Sequence, residues 1–123
     1  MMGLIRKLAG LGLLMTMTAV SAAAAPKTDI IEIVTLKIKP GVSVEAFQKI
    51  DAAVGSQHVA KQPGFISRES ASSGENEWLV IVHWRSTKDA DASMASFASA
   101  PAAKAFIDSI DSSTMVMKRY TQR

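Results

Sequence analysis

The chain has 123 residues, 48% of them hydrophobic and 20% charged, with a formal charge of +3 and no cysteine. Those values suit one globular domain and exclude a disordered or fibrous chain. The lack of thiols excludes a disulfide framework, a dithiol redox role and thiolate metal ligation.

Arg6 and Lys7 precede an uncharged, largely apolar run over residues 8–20, and Ser21-Ala22-Ala23-Ala24-Ala25 follows. Basic, apolar and small regions in that order make a secretory signal peptide. As a helix the apolar run would reach about 20 Å, short of the roughly 30 Å hydrocarbon core of a bilayer. Residues 1–25 are therefore expected to be cleaved, after Ala23, Ala24 or Ala25. The domain over residues 26–123 is then periplasmic or secreted and has no membrane attachment. Without Arg6 and Lys7 the formal charge falls from +3 to +1. The remaining basic residues are scattered, apart from Lys118, Arg119 and Arg123, so nucleic acid is not an expected partner.

Residues 30–39 alternate as a strand does. Ile30, Val34, Leu36 and Ile38 share one face with Glu32, while Ile31, Ile33, Thr35 and Lys37 share the other. Pro40-Gly41 ends it. Ser43 is an N-cap with Glu45 in the first turn, and the helix it opens is expected to run to about residue 61. Its inward stripe is Phe47, Ile50 and Val54, extended by His58. Pro63-Gly64 breaks the helix, and residues 65–71 read as a more polar edge strand. Residues 72–76 form a hairpin loop. Trp78-Leu79-Val80-Ile81-Val82-His83-Trp84 is a buried strand, since branched and aromatic side chains fit a pleated surface. Ser86-Thr87-Lys88-Asp89 resembles a capping box opening a helix with Ala90, Met94, Phe97 and Ala98 inward. Pro101 starts a short helix carrying Ala103, Phe106, Ile107 and Ile110 on its apolar side. Residues 114–120 are the last strand.

The order is strand, helix, strand, strand, helix, strand. It predicts an α+β, ferredoxin-like βαββαβ fold: a four-stranded antiparallel sheet with both helices on one face. Trp78, Val80, Val82 and Trp84 fall on the helix side. Leu79, Ile81, Ile31 and Ile33 fall on the face that the helices leave bare. Burying an aliphatic side chain is worth roughly 1.5–3 kcal/mol, and a bare apolar patch of that kind marks an interface. The expected partner is a second copy of the chain, so that two sheets pair into a dimeric α/β barrel.

Five side chains stand out. Trp84 and Trp78 either stack on a planar ligand or fill the core. His58 either acts as a general base or haem ligand or sits half-exposed at the negative helix end. His83 points to the bare face, away from His58, so the two share no metal site. Glu32 interrupts an apolar face: it is either a base for a phenol-like substrate or a carboxylate at the strand's end, wet or paired with a lysine. No nucleophile elbow, phosphate-binding glycine loop or dinucleotide fingerprint is present.

Pro63-Gly64-Phe65-Ile66-Ser67 before the second strand, Trp84 followed by Arg85-Ser86 and a helix, and the strand order together resemble the antibiotic biosynthesis monooxygenase family of the dimeric α/β-barrel superfamily. The resemblance spans nearly all of residues 30–120. It implies a homodimer and a pocket between sheet and helices lined by a tryptophan, here Trp84. Some members oxidise polyketide-like aromatics with oxygen and neither metal nor flavin, others degrade haem, and several have no established activity. The aromatic-oxidising pattern has Asn four residues before the tryptophan, where this chain has Val80. The haem-degrading pattern has Asn in the first strand, where this chain has Val34, and a later histidine that it lacks.

Ligand contact is thus assigned to Trp84, Val34, Val80 and Phe47, and proton transfer to Glu32 and His58, with no metal and no cofactor. Phe47, Phe97 and Phe106 either border the pocket or fill it. Two functions follow: a cofactor-independent monooxygenase for a small aromatic or quinone-type compound, or a non-catalytic periplasmic binding protein for a hydrophobic or haem-like ligand.

Overall fold

The computed structural model describes residues 29–123; the expected leader over residues 1–25 lies outside them. The strands are β1 (Ile30–Ile38), β2 (Phe65–Ser73), β3 (Glu77–Trp84) and β4 (Ile110–Thr121). The helices are α1 (Val44–Gln57), α2 (Thr87–Phe97) and α3 (Ala103–Asp108). The sheet is antiparallel throughout, in the order β2-β3-β1-β4, with β2 at one edge as its polar sequence predicts.

Both long helices begin where their caps place them. Ser43 Oγ accepts from Ala46 N at 3.0 Å. Ser86 Oγ accepts from Asp89 N at 3.0 Å and donates to the Asp89 carboxylate at 2.9 Å. Each cap satisfies a donor that the first helical turn leaves free. The turn before β2 docks against the second cap. Gly64 has φ +80°, and its carbonyl accepts from Arg85 N at 2.8 Å. A Cβ on Gly64 would lie 2.2 Å from Asp89 Oδ2. The Pro63-Gly64 turn and the Trp84-Arg85-Ser86 segment are thus one packed unit.

The register sets Glu32 opposite Val82, Val34 opposite Val80 and Leu36 opposite Trp78. Trp78, Val80, Val82 and Trp84 are all buried beneath the helices. Phe47, fully buried, meets Trp78 edge-on with centroids 5.1 Å apart and Phe106 at the same separation. On the other face Ile31, Ile33, Leu79 and Ile81 are only partly buried, and Val116 and Tyr120 of β4, opposite Thr35 and Ile31, are exposed.

Several boundaries and facings differ from the sequence expectation. α1 stops at Gln57, with His58 as its cap and a 3₁₀ turn over Val59–Lys61. In α2 the buried residues are Ala90 and Ser93, while Met94 is 40% exposed and Ala98 lies beyond the helix. Ile107 is also exposed. Ile110 belongs to β4, opposite Ile38, because an irregularity between Thr35 and Lys37 lets the pairing restart at Lys37–Asp111. Thr114 Oγ1 accepts from Lys37 N at 2.9 Å within that irregularity.

Gly64→Ala is expected to lower stability by at least about 2 kcal/mol, since a left-handed conformation alone costs an L-residue roughly 1–2 kcal/mol and the Asp89 contact adds to it. Urea denaturation measures the difference.

Candidate functional site

A cavity of about 90 Å³ lies between the sheet and the helices. β3 contributes Val80, Val82 and Trp84 to it, and β1 contributes Glu32 and Val34. α1 adds Val54, α2 adds Ser93, Met94 and Phe97, and Met115 comes from β4. Met94 and Met115 are 40% and 47% exposed, so the cavity reaches solvent between α2 and β4. A wider groove of about 410 Å³ runs along α1 and the outer edge of β2, past Gln48, Ser72 and Trp78. The smaller cavity has the character of a ligand site, being largely apolar with few convergent polar groups.

Of two buried carboxylates, Glu32 lines this cavity and Asp51 the wider groove, and each is compensated. Glu32 Oε2 accepts from Arg119 Nε at 2.8 Å, and Arg119 also pairs with Asp91 of α2. Burial works against the Arg119 charge, but hydrogen bonds to Asp91 and Glu32 outweigh it and raise its pKa above the ordinary value. The second carboxylate is Asp51 of α1. Arg68 grips it with both terminal nitrogens, Nη2 to Oδ1 at 2.7 Å and Nη1 to Oδ2 at 3.0 Å. Ser70 Oγ and Trp78 Nε1 donate to the same carboxylate at 2.6 and 3.2 Å. Gly55 leaves room for the guanidinium: a Cβ there would lie 3.0 Å from Arg68 Nη1.

Among the described residues, two buried side-chain N–H groups have no protein acceptor, Trp84 Nε1 and Arg68 Nε. Both residues line the cavity. Leaving a buried donor unpaired costs about 1–3 kcal/mol.

Residues 29–109, well over half the chain, match the family model for antibiotic biosynthesis monooxygenase. The chain belongs to that family. Among solved structures, this family member resembles SnoaB, a cofactor-independent oxygenase from Streptomyces nogalater, with a TM-score of 0.64 at 17% identity, over 78% of this chain and 94% of that one. A conserved protein from Methanosarcina mazei Go1 gives 0.61 at 15% identity, over 78% and 94% of the two chains. A protein from Pseudomonas aeruginosa gives 0.58 at 11%, over 81% and 99%. At such identities the likeness concerns the fold. No curated protein sequence matches the chain.

Of the sequence-predicted site residues, Glu32, Val34, Val80 and Trp84 of this family member come together on the cavity wall. Phe47 and His58 are not part of that wall. Phe47 is packed between Trp78 and Phe106. The half-buried His58 ring lies 3.2 Å from Ser96 Oγ and 3.4 Å from Gln62 Nε2, against the edge of Phe97. Among the described residues, no three His, Asp or Glu side chains cluster as metal ligands do.

Arg68, Asp51 and Arg119 escaped the sequence reading. Arg119 stands directly across from Glu32 on β4, where a lysine or water was expected as the partner. Asp51 had a signal, because it lies four residues after Phe47 and three before Val54, on the buried stripe. Arg68 had none. Phe65 pairs with Trp84 and Ser67 with His83, so Ile66 bulges out and reverses the facing of the residues after it.

Asp51→Ala is expected to lower stability by about 3–5 kcal/mol, because it strands the Arg68 charge in the interior. Thermal and urea unfolding check this.

Proposed function

We propose that the domain is an exported, cofactor-independent monooxygenase acting on a small aromatic or quinol-type compound held against Trp84. The observation that carries this reading is that Glu32 and Trp84 both line one small, largely apolar cavity. Family membership and the likeness to a cofactor-independent oxygenase support it.

In this reading Glu32 takes a proton from an activated ring CH₂ or hydroxyl, leaving a carbanion or phenolate. That anion passes one electron to dioxygen, and the radical and superoxide combine to form a C–O bond. Cleavage of the O–O bond with loss of the second hydrogen gives the carbonyl. The departing oxygen leaves as water, taking back the proton held by Glu32. Two C–H bonds of the CH₂, or the O–H and one ring C–H of the phenol, are oxidised, and one O₂ is fully reduced.

Size narrows the substrate. A cavity of roughly 150 Å³ is needed to house benzene, so about 90 Å³ admits one ring only if Met94 or Met115 yields, and thioether side chains are adaptable enough to do so. Haem is too large for this space. The competing reading, a binding protein for a small hydrophobic molecule, draws support from Val34 and Val80, which bring no polar group to the wall.

Oxygen uptake with a panel of hydroquinones and anthrones separates the two. The wild-type protein should consume oxygen with at least one compound, and Glu32→Gln should slow that turnover by about 10²–10⁴-fold while ligand binding persists. Uptake with none, alongside tight binding of one, favours the binding protein.

The same proposal includes a homodimer closed over Ile31, Ile33, Leu79 and Ile81, which the chain's own helices leave uncovered. Sedimentation equilibrium at micromolar concentration should show a dimer, and Ile81→Glu should yield monomers.

A further inference from the structure

We propose that Glu69 and Lys118 form ion pairs between two copies of the chain and so decide how their bare faces meet, with β2 of each copy against β4 of the other. This rests on the homodimer argued above and adds its orientation and the charges that set it.

Strand register builds the charge pattern. On the bare face Glu69 stands beside Ile81, Ile81 beside Ile33, and Ile33 beside Lys118. Registered neighbours share a face, so one row across the sheet runs acid, apolar, apolar, base. The acid lies on one edge strand and the base on the other. Both are exposed, and among the described residues neither makes an ion pair within its own chain. Lys118 Nζ lies over the Tyr120 ring of its own strand, 5.8 Å from the centroid. A second acid and base, Glu77 and Lys37, stand side by side on the two central strands at one end of the face.

Two copies stacked on this face have two symmetric choices. A twofold axis across the strands sets each edge strand over its own counterpart, so Glu69 never reaches the partner's Lys118. A twofold axis parallel to the strands, between β1 and β3, exchanges the edges. It sets Glu69 over the partner's Lys118, and the reverse contact follows by symmetry. The same axis sets Ile33 over the partner's Ile81 and Lys37 over the partner's Glu77. Both acid–base couples gain opposite charges, and the apolar centre of the row is closed. Stacked sheets lie about 10 Å apart with strand directions within about 30° of each other, a gap that a glutamate and a lysine side chain span together. Juxtaposed like charges work against the other arrangement, and charges at the rim of an interface set its register more than its strength.

Sedimentation equilibrium reads the charges. Glu69→Lys and Lys118→Glu should each raise the dimer dissociation constant about tenfold, because two pairs per dimer become repulsive. An equimolar mixture of the two variants should recover the wild-type value, since each supplies the charge that the other lacks. Cross-linking reads the geometry. The chain has no cysteine, so introduced thiols report alone. A short bis-maleimide that bridges about 10 Å should link Glu69→Cys to Lys118→Cys when the two are mixed, and should link neither variant to itself.

Linkage of Glu69→Cys to itself would overturn the pairing and leave the dimer in place. So would single charge reversals that leave the dissociation constant of a dimeric wild type unchanged. A monomeric wild type would overturn both. Should a charge reversal fail to fold by circular dichroism, the cysteine variants decide alone.

Discussion

The Asp51 carboxylate is the hinge of the interior. It sits on the buried stripe of α1, in a position where a charge cannot persist unpaired, and it accepts from Arg68, Ser70 and Trp78. The fork of the guanidinium matches the two carboxylate oxygens, which makes the pair directional as well as attractive. That geometry ties α1 to β2 and β3 on the side where the cavity lies. Replacing a buried ion pair by hydrophobic side chains of equal volume is often neutral for stability, so what such a pair adds is orientation. Arg68 itself lies between the small cavity and the wider groove, lining both.

A second ionic link closes the opposite side. Glu32 and Arg119 face each other across β1 and β4, and Arg119 continues to Asp91 on α2. The outer strand is thereby fastened both to its neighbour and to the helix above it. Asp91 is exposed, which limits what that arm contributes, whereas Glu32 is buried and depends on its arginine. Beside the Glu32 link lies a space walled mainly by valine, phenylalanine and methionine.

The sheet itself follows from one face being covered and the other not. The alternation along β3 sends Trp78, Val80, Val82 and Trp84 beneath the helices and Leu79 and Ile81 to the bare side. In β1 the same alternation brings Glu32 and Val34 to the cavity and Ile31 and Ile33 to the bare side. Val116 and Tyr120 extend that second apolar surface onto β4. The helices are too few to shield both sides.

The order of elements, the faces of β1 and β3, the caps at Ser43 and Ser86 and the breaks at Pro40-Gly41 and Pro63-Gly64 were all legible in the chain, because each rests on neighbours a few residues apart. So was the family resemblance, whose two markers are joined by the hydrogen bond from Arg85 N to the Gly64 carbonyl. The charge partners were not legible. Arg68 meets Asp51 from 17 residues away, and Arg119 meets Glu32 from 87 residues away. Those meetings depend on strand register, which β-pairing sets through contacts distant in sequence, and on a bulge at Ile66 that a period of two cannot anticipate. Local pattern therefore determined which faces are apolar; only the closed sheet decided which buried charges meet, and which donors near the cavity remain free.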